Sequence, residues 1–263
     1  MKAILTIALL ATPVLAEELT PDDFAEARGV DIVLLGELHD NPHHHVNQVI
    51  AINAIEPAAV VFEMLTTEQA KRITPNLLND FRALSETLDW TASGWPAFSM
   101  YFPIIQASSK AQILGAQVPR DTARTAILGG DPVKSFGADA ELFGLTKILP
   151  DAQQADREAL QMAAHCDAMP ETMLPSMVMV QRLRDATLAK VATQALEATG
   201  GPVIVITGNG HARTDWGVPA LLPDGISFLS IAQLEAKPEP SQPHDFWIIT
   251  EPVNREDPCK AFQ

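Results

Sequence analysis

Near-continuous aliphatic and β-branched runs recur along the chain at residues 30–35, 58–62, 112–116, 203–207, 226–231 and 246–250. Runs of this kind suit strands covered on both faces, the setting of a parallel sheet. Between the first two, Asn41 is a good N-cap, Pro42 suits the first helical position and Pro57 ends the element. A helix over 41–56 is predicted, with Val46, Val49, Ile50 and Ala54 as its core-facing stripe. Strand, helix and strand in this order open a βαβ unit with a right-handed crossover. Residues 123–199 read as mostly helical, broken at Gly129-Gly130, Pro150, Pro170 and Pro175. That stretch is too long for one crossover helix and is predicted to be a helical insert. The expected fold is α/β, a central, mostly parallel sheet flanked by helices, with a stiff polar connector at 237–243.

The N-terminus has a different pattern. Met1-Lys2, an apolar run and Val14-Leu15-Ala16 before Glu17-Glu18 have the layout of a secretory signal peptide over 1–16. Residues 17–263 are then one domain, and no cysteine follows the cleavage point to accept a lipid. The expected location is the periplasm or outside the cell. Removing Lys2 from the 18 Lys and Arg, against 33 Asp and Glu, leaves a net charge of about −16. Such an excess opposes nucleic-acid binding and offers no basic face to anionic lipid. Cys166 and Cys259 are open to two readings, a bridge in an oxidising compartment or two free buried thiols.

Two of the apolar runs end in the same motif, Gly-x-x-His. Gly36-Glu37-Leu38-His39 follows the first run, and Gly208-Asn209-Gly210-His211 follows the fourth. Ligands of open α/β sheets collect beyond the carboxyl ends of the strands. Glu63 ends the second run and, as a charge fused to Val60-Val61-Phe62, needs a partner. If the three strands are adjacent, Glu37, His39, Glu63 and His211 converge in one pocket. Arg213 and Arg120 would supply positive charge near it. A carboxylate acting on water while a histidine or a divalent metal polarises a carbonyl would make these four residues a hydrolytic site. His43, His44 and His45 fall in the first helical turn and point about 100° apart, so they cannot share one site. With the methionines around His165 they raise copper or zinc capture, against which Pro170 and Pro175 argue. Tyr101 is the only tyrosine, in an aromatic and apolar setting. A phenolate can ligate ferric haem iron, although a satisfied core tyrosine is the commoner role.

The segments Gly36-Glu37-Leu38-His39-Asp40-Asn41-Pro42-His43-His44 and Gly208-Asn209-Gly210-His211-Ala212-Arg213-Thr214-Asp215-Trp216-Gly217-Val218-Pro219 resemble the two hallmark loops of the ChaN-like haem-binding proteins. These belong to a superfamily with the Tiki metalloproteases and the erythromycin esterases. Arg182-Leu183-Arg184-Asp185 and the tryptophan-rich stretch up to Tyr101 also resemble the superfamily pattern. The resemblance implies haem bound between two subunits, a role in haem or iron acquisition, and contact with outer-membrane uptake machinery. It implies a tyrosine as the iron ligand, for which this chain has Tyr101 alone; His39, His211, Arg213 and Arg120, placed near the pocket above, are the further residues expected to contact the haem. The same loops resemble those of the hydrolytic relatives, so a hydrolase using Glu37, His39, Glu63 and His211 is the alternative.

Overall fold

Each of the six apolar runs forms a strand in the computed structural model, which describes residues 17–128, 131–257 and 259–260. The predicted signal peptide at 1–16 and the Gly129-Gly130 break lie outside the described residues. The strands are β1 (Glu17–Glu18), β2 (Ile32–Glu37), β3 (Ala59–Phe62), β4 (Gln112–Gly115), β5 (Val203–Gly208), β6 (Phe228–Leu234) and β7 (Phe246–Ile249). They form one sheet in the order β1-β7-β6-β2-β5-β3-β4, with every pairing parallel. The extra strand is the two-residue β1, which the apolar pattern cannot reveal because both of its residues are glutamates.

The helices are α1 (Pro42–Ile55), α2 (Thr67–Lys71), α3 (Phe81–Thr87), α4 (Trp90–Ser93), α5 (Phe98–Ala107), α6 (Arg120–Ile127), α7 (Pro132–Phe136), α8 (Asp151–Ala164), α9 (Leu174–Thr199) and α10 (Asn209–Ala212). Helices α6 to α9 occupy the stretch read as an insert. Pro175 does not break it: it sits in the first turn of α9, where a missing N–H costs nothing. Two apolar clusters cover the two faces of the sheet. One gathers Val33, Leu35, Val60, Phe62, Ile204 and Ile206 with α1 and α5. The other gathers Ile32, Leu34, Val61, Val203 and Val205 with α9. This is the period-2 alternation of strands buried on both sides.

Helix α1 corrects one expectation. Val46 and Ile50 are exposed, while His44, His45, Asn47, Gln48, Ala51, Ile52 and Ile55 are buried. The helix therefore turns a polar face inward. Polar side chains are tolerated there because the carboxyl edge of β2 offers them partners. Asn41 caps the helix as expected, accepting from the His43 N–H at 2.9 Å.

Candidate functional site

Strand register brings the motif residues together. Glu37 pairs with Gly208, and Phe62 with Ile206, so Glu63 comes level with Thr207. The Glu63 N–H continues the ladder by donating to the Ile206 carbonyl at 3.1 Å. Side chains alternate along each strand, so Glu37 follows Val33 and Leu35 onto the face covered by α1 and α5. Glu63 follows Val61 onto the face covered by α9. The two carboxylates thus approach one rim from opposite faces of the sheet.

Glu37 is fully enclosed. Its Oε1 accepts from His39 Nδ1 and from the Tyr101 hydroxyl, each at 2.7 Å, and its Oε2 accepts from Gln48 Nε2 at 2.6 Å. Burial alone would raise the Glu37 pKa, but His39, His45 and Tyr101 outweigh it and hold the carboxyl below its ordinary value. The carboxylate in turn offsets the burial of His39 and, with Glu63, raises the His39 pKa. With Nδ1 committed to Glu37, His39 presents Nε2, which makes no hydrogen bond among the described residues. Its ring meets Trp95 edge-on at 4.9 Å.

The second carboxylate is held as firmly. Glu63 Oε2 accepts from the Thr207 hydroxyl at 2.7 Å and the Gly208 N–H at 2.9 Å, and Oε1 lies 3.5 Å from His211 Nε2. On the other edge of that ring, Nδ1 bonds Asp185 Oδ1 of α9 at 2.6 Å. Burial would drive the His211 imidazole towards neutrality, but Glu63 and Asp185 on either side raise its pKa to about 9. Burial likewise opposes the Glu63 charge, yet His211, His39, Thr207 and Gly208 lower its pKa to about 2. Burial raises the Asp185 pKa against the pull of His211 and Arg157, so Glu63, His211 and Asp185 form one coupled row beside the Glu37–His39 pair.

Of the four residues expected to converge in one pocket, His39, Glu63 and His211 line a common cavity, while Glu37 is enclosed behind it and acts through His39. Two cavities, of about 510 and 400 Å³, meet at His39 and His211. Trp95 and Arg120 wall the first, and Arg157, Arg213 and Trp216 the second. The positive charge of Arg213 is already engaged: it forms a two-pronged pair with Asp215 at 2.9 and 2.6 Å and stacks on Trp216 at 3.8 Å. Among the described residues Arg120 donates to the Ser93 carbonyl alone.

Tyr101 lines neither cavity. The side chain expected to reach haem iron is 0% exposed, packed edge-on against His45 at 4.4 Å, and its hydroxyl is spent on Glu37. Burial and the Glu37 charge push the phenol pKa far up, so a phenolate is disfavoured there. It lies beneath the site and orients Glu37.

The consecutive histidines divide by role. His43 is exposed. His44 accepts the Leu38 N–H on Nδ1 at 2.9 Å and meets the Thr250 hydroxyl through Nε2, and burial lowers its pKa to about 4. His45 holds the His39 carbonyl through Nε2 at 3.0 Å. Both buried rings brace the loop. His165 follows the end of α8 and shares no helix with Met169 or Met173. Among the described residues no cluster of three or more His, Cys, Asp or Glu is arranged to hold a metal ion. Cys166 and Cys259 form a disulfide.

Sequence reasoning missed the part played by Gln48 and Asp185. Gln48 was not singled out, since a lone amide in a helix carries no signal of its partner. Asp185 lay in a segment noted for its resemblance alone, although a carboxylate between Leu183 and Ala186 on a buried helix already signals a hidden partner.

No curated protein matches the chain in sequence. Among solved structures it is similar to ChaN of Campylobacter jejuni, described as binding haem cofacially, with a TM-score of 0.63 and 19% identity, covering 85% of this chain and 89% of that one. Weaker likenesses are to the type III effector HopBA1, with a TM-score of 0.48, 14% identity and coverages of 88% and 94%, and to a mutant of erythromycin esterase EreC in its open conformation, with 0.43, 14%, 89% and 79%. Residues 24–222 match the family described as haem-binding uptake, Tiki superfamily, ChaN. That span takes in both histidine loops and the four strands β2 to β5, and the chain belongs to this ChaN family of haem-binding uptake proteins.

Proposed function

We propose that the chain binds haem in the cleft where the two cavities meet, with His39 Nε2 as the iron ligand, and serves haem or iron acquisition outside the cytoplasm. His39 carries this reading. A haem-ligating histidine whose other ring nitrogen donates to a carboxylate is oriented and made more basic by it, and Glu37 does this for His39. Trp95 and Trp216 offer flat apolar walls on the two sides, and Arg120 a counter-charge for a propionate. Family membership supports the ligand. The cofacial haem in the Campylobacter relative supports a pair of chains around it, and delivery to outer-membrane machinery would follow. The pattern at 1–16 and the Cys166–Cys259 bridge support a periplasmic or secreted location. Titration of the purified chain with haemin should give saturable uptake and a histidine-type ferric spectrum. A linear, unsaturated titration ends the reading.

A second reading, a hydrolase, is favoured by the Glu63–His211–Asp185 row. Such an imidazolium can donate to a developing oxyanion while His39, backed by Glu37, takes a proton from water. A panel of ester, amide and phosphoester substrates tests it. Turnover abolished in His211→Asn supports it, and no turnover of any class removes it.

A further inference from the structure

The larger of these two cavities holds more positive charge than the haem reading uses, since that reading engages Arg120 alone. Arg120 and Arg124 stand one turn apart on α6, and Arg184 faces them from α9. In a chain of net charge −15, three guanidinium groups line one space of about 510 Å³. Among the described residues none of the three lies within ion-pair distance of a carboxylate, whereas Arg28, Arg213 and Arg255 are each paired with one. Arg182, two residues before Arg184, shows what a structural arginine does in this helix: it is buried and donates to the Gly144 and Lys147 carbonyls. Arg184 has turned the other way.

Like charges at i, i+4 destabilise a helix by a few tenths of a kcal/mol, and a third cation opposite adds to the cost. Glu63, the only carboxylate on the cavity wall among the described residues, is already balanced by His211. The lining is otherwise suited to a small organic molecule: Trp95, Val118 and Leu188 are apolar, and Gln181 adds an amide.

We propose that this compartment is an oxyanion-binding subsite. It takes a small molecule bearing a phosphate or carboxylate group, gripped by Arg120, Arg124 and Arg184, whose other end reaches His39 and His211. Guanidinium groups match both oxyanions through paired N–H donors. The subsite shares Arg120 and His39 with the haem reading but requires no iron and no porphyrin.

Isothermal titration of the haem-free full chain with inorganic phosphate and, separately, with citrate tests it. At least one anion should bind saturably, and raised salt should weaken it. Arg124→Gln and Arg184→Gln should each cost roughly tenfold or more in affinity. Arg28→Gln, which removes the same charge from a distant surface pair, should cost nothing. Phosphate binding alone identifies a phosphate ester, and citrate binding alone a polycarboxylate. No saturable binding of either, or equal affinity in all three folded variants, overturns the proposal. Haemin titration of the same samples keeps the two readings separate: haemin uptake without anion binding defeats this subsite only, and the reverse defeats only the haem reading.

Discussion

His211 Nδ1 lies 2.6 Å from Asp185 Oδ1, and the far edge of the same ring faces Glu63 Oε1 at 3.5 Å. This row makes stability depend on pH. His211 has its pKa raised from 6.5 to about 9, so its contribution is complete below about 6.5 and is lost as pH rises towards 9. His44 has its pKa lowered from 6.5 to about 4, so the unfolded chain takes up that proton first and stability falls as pH drops below 6.5. Glu63, lowered from 4.5 to about 2, adds a further loss below 4.5. Thermal melting should therefore peak near pH 6.5. In Asp185→Asn the alkaline limb should move to lower pH. An alkaline limb identical in His211→Asn and the parent chain would refute the assignment.

Tyr101 and His39 make opposite predictions for haem. Tyr101→Phe removes a hydrogen bond to a buried carboxylate and should cost about 1.5–3 kcal/mol of stability, with the haem spectrum unchanged. His39→Ala should abolish that spectrum while the chain stays folded. Glu37→Gln should weaken haem binding by roughly 10–100-fold, the usual effect of losing a carboxylate behind a ligating histidine. Loss of the spectrum in Tyr101→Phe alone would return the iron to the phenol.

Gly208 is a steric test of the same centre. A Cβ there would sit 3.0 Å from His39 Nε2 and 3.2 Å from Cε1, too close for the ring to stay where it is. Gly208→Ala should destabilise by about 1–3 kcal/mol through crowding and lower haem affinity more than it lowers stability. Circular dichroism and haemin titration on one preparation read both quantities. Wild-type affinity would mean that the His39 position does not matter.

The bridge between Cys166 and Cys259 closes a sequence separation of 93 residues and ties the C-terminal tail to the end of α8. Arg255 already anchors that tail to Asp40 and Glu235. Cys166→Ser should lower unfolding free energy by about 2–4 kcal/mol in denaturant titration. The parent chain under reductant should fall by the same amount, and a reductant effect persisting in the variant would exclude the bridge as its source.

What the sequence determined by itself was local. Aliphatic runs committed the strands, Asn41 and Pro42 opened α1, and the repeated Gly-x-x-His placed chemistry at strand ends, because each depends on neighbours in the chain. Non-local relationships were decided only by tertiary structure. Parallel neighbours in a sheet are far apart in sequence, so the adjacency of β2, β5 and β3, on which the convergence of Glu37, Glu63 and His211 rests, depends on crossovers. The inward face of α1 went to His44, His45 and Gln48 and not to Val46 and Ile50, because a buried carboxylate on β2 needed donors more than the core needed two more aliphatic side chains. The same need drew Tyr101 beneath the site, and the imidazolium of His211 drew Asp185 from a helix 26 residues away. Hydrophobic pattern registers where a side chain prefers to be dry. Which charge it must neutralise there is settled only when the sheet is assembled.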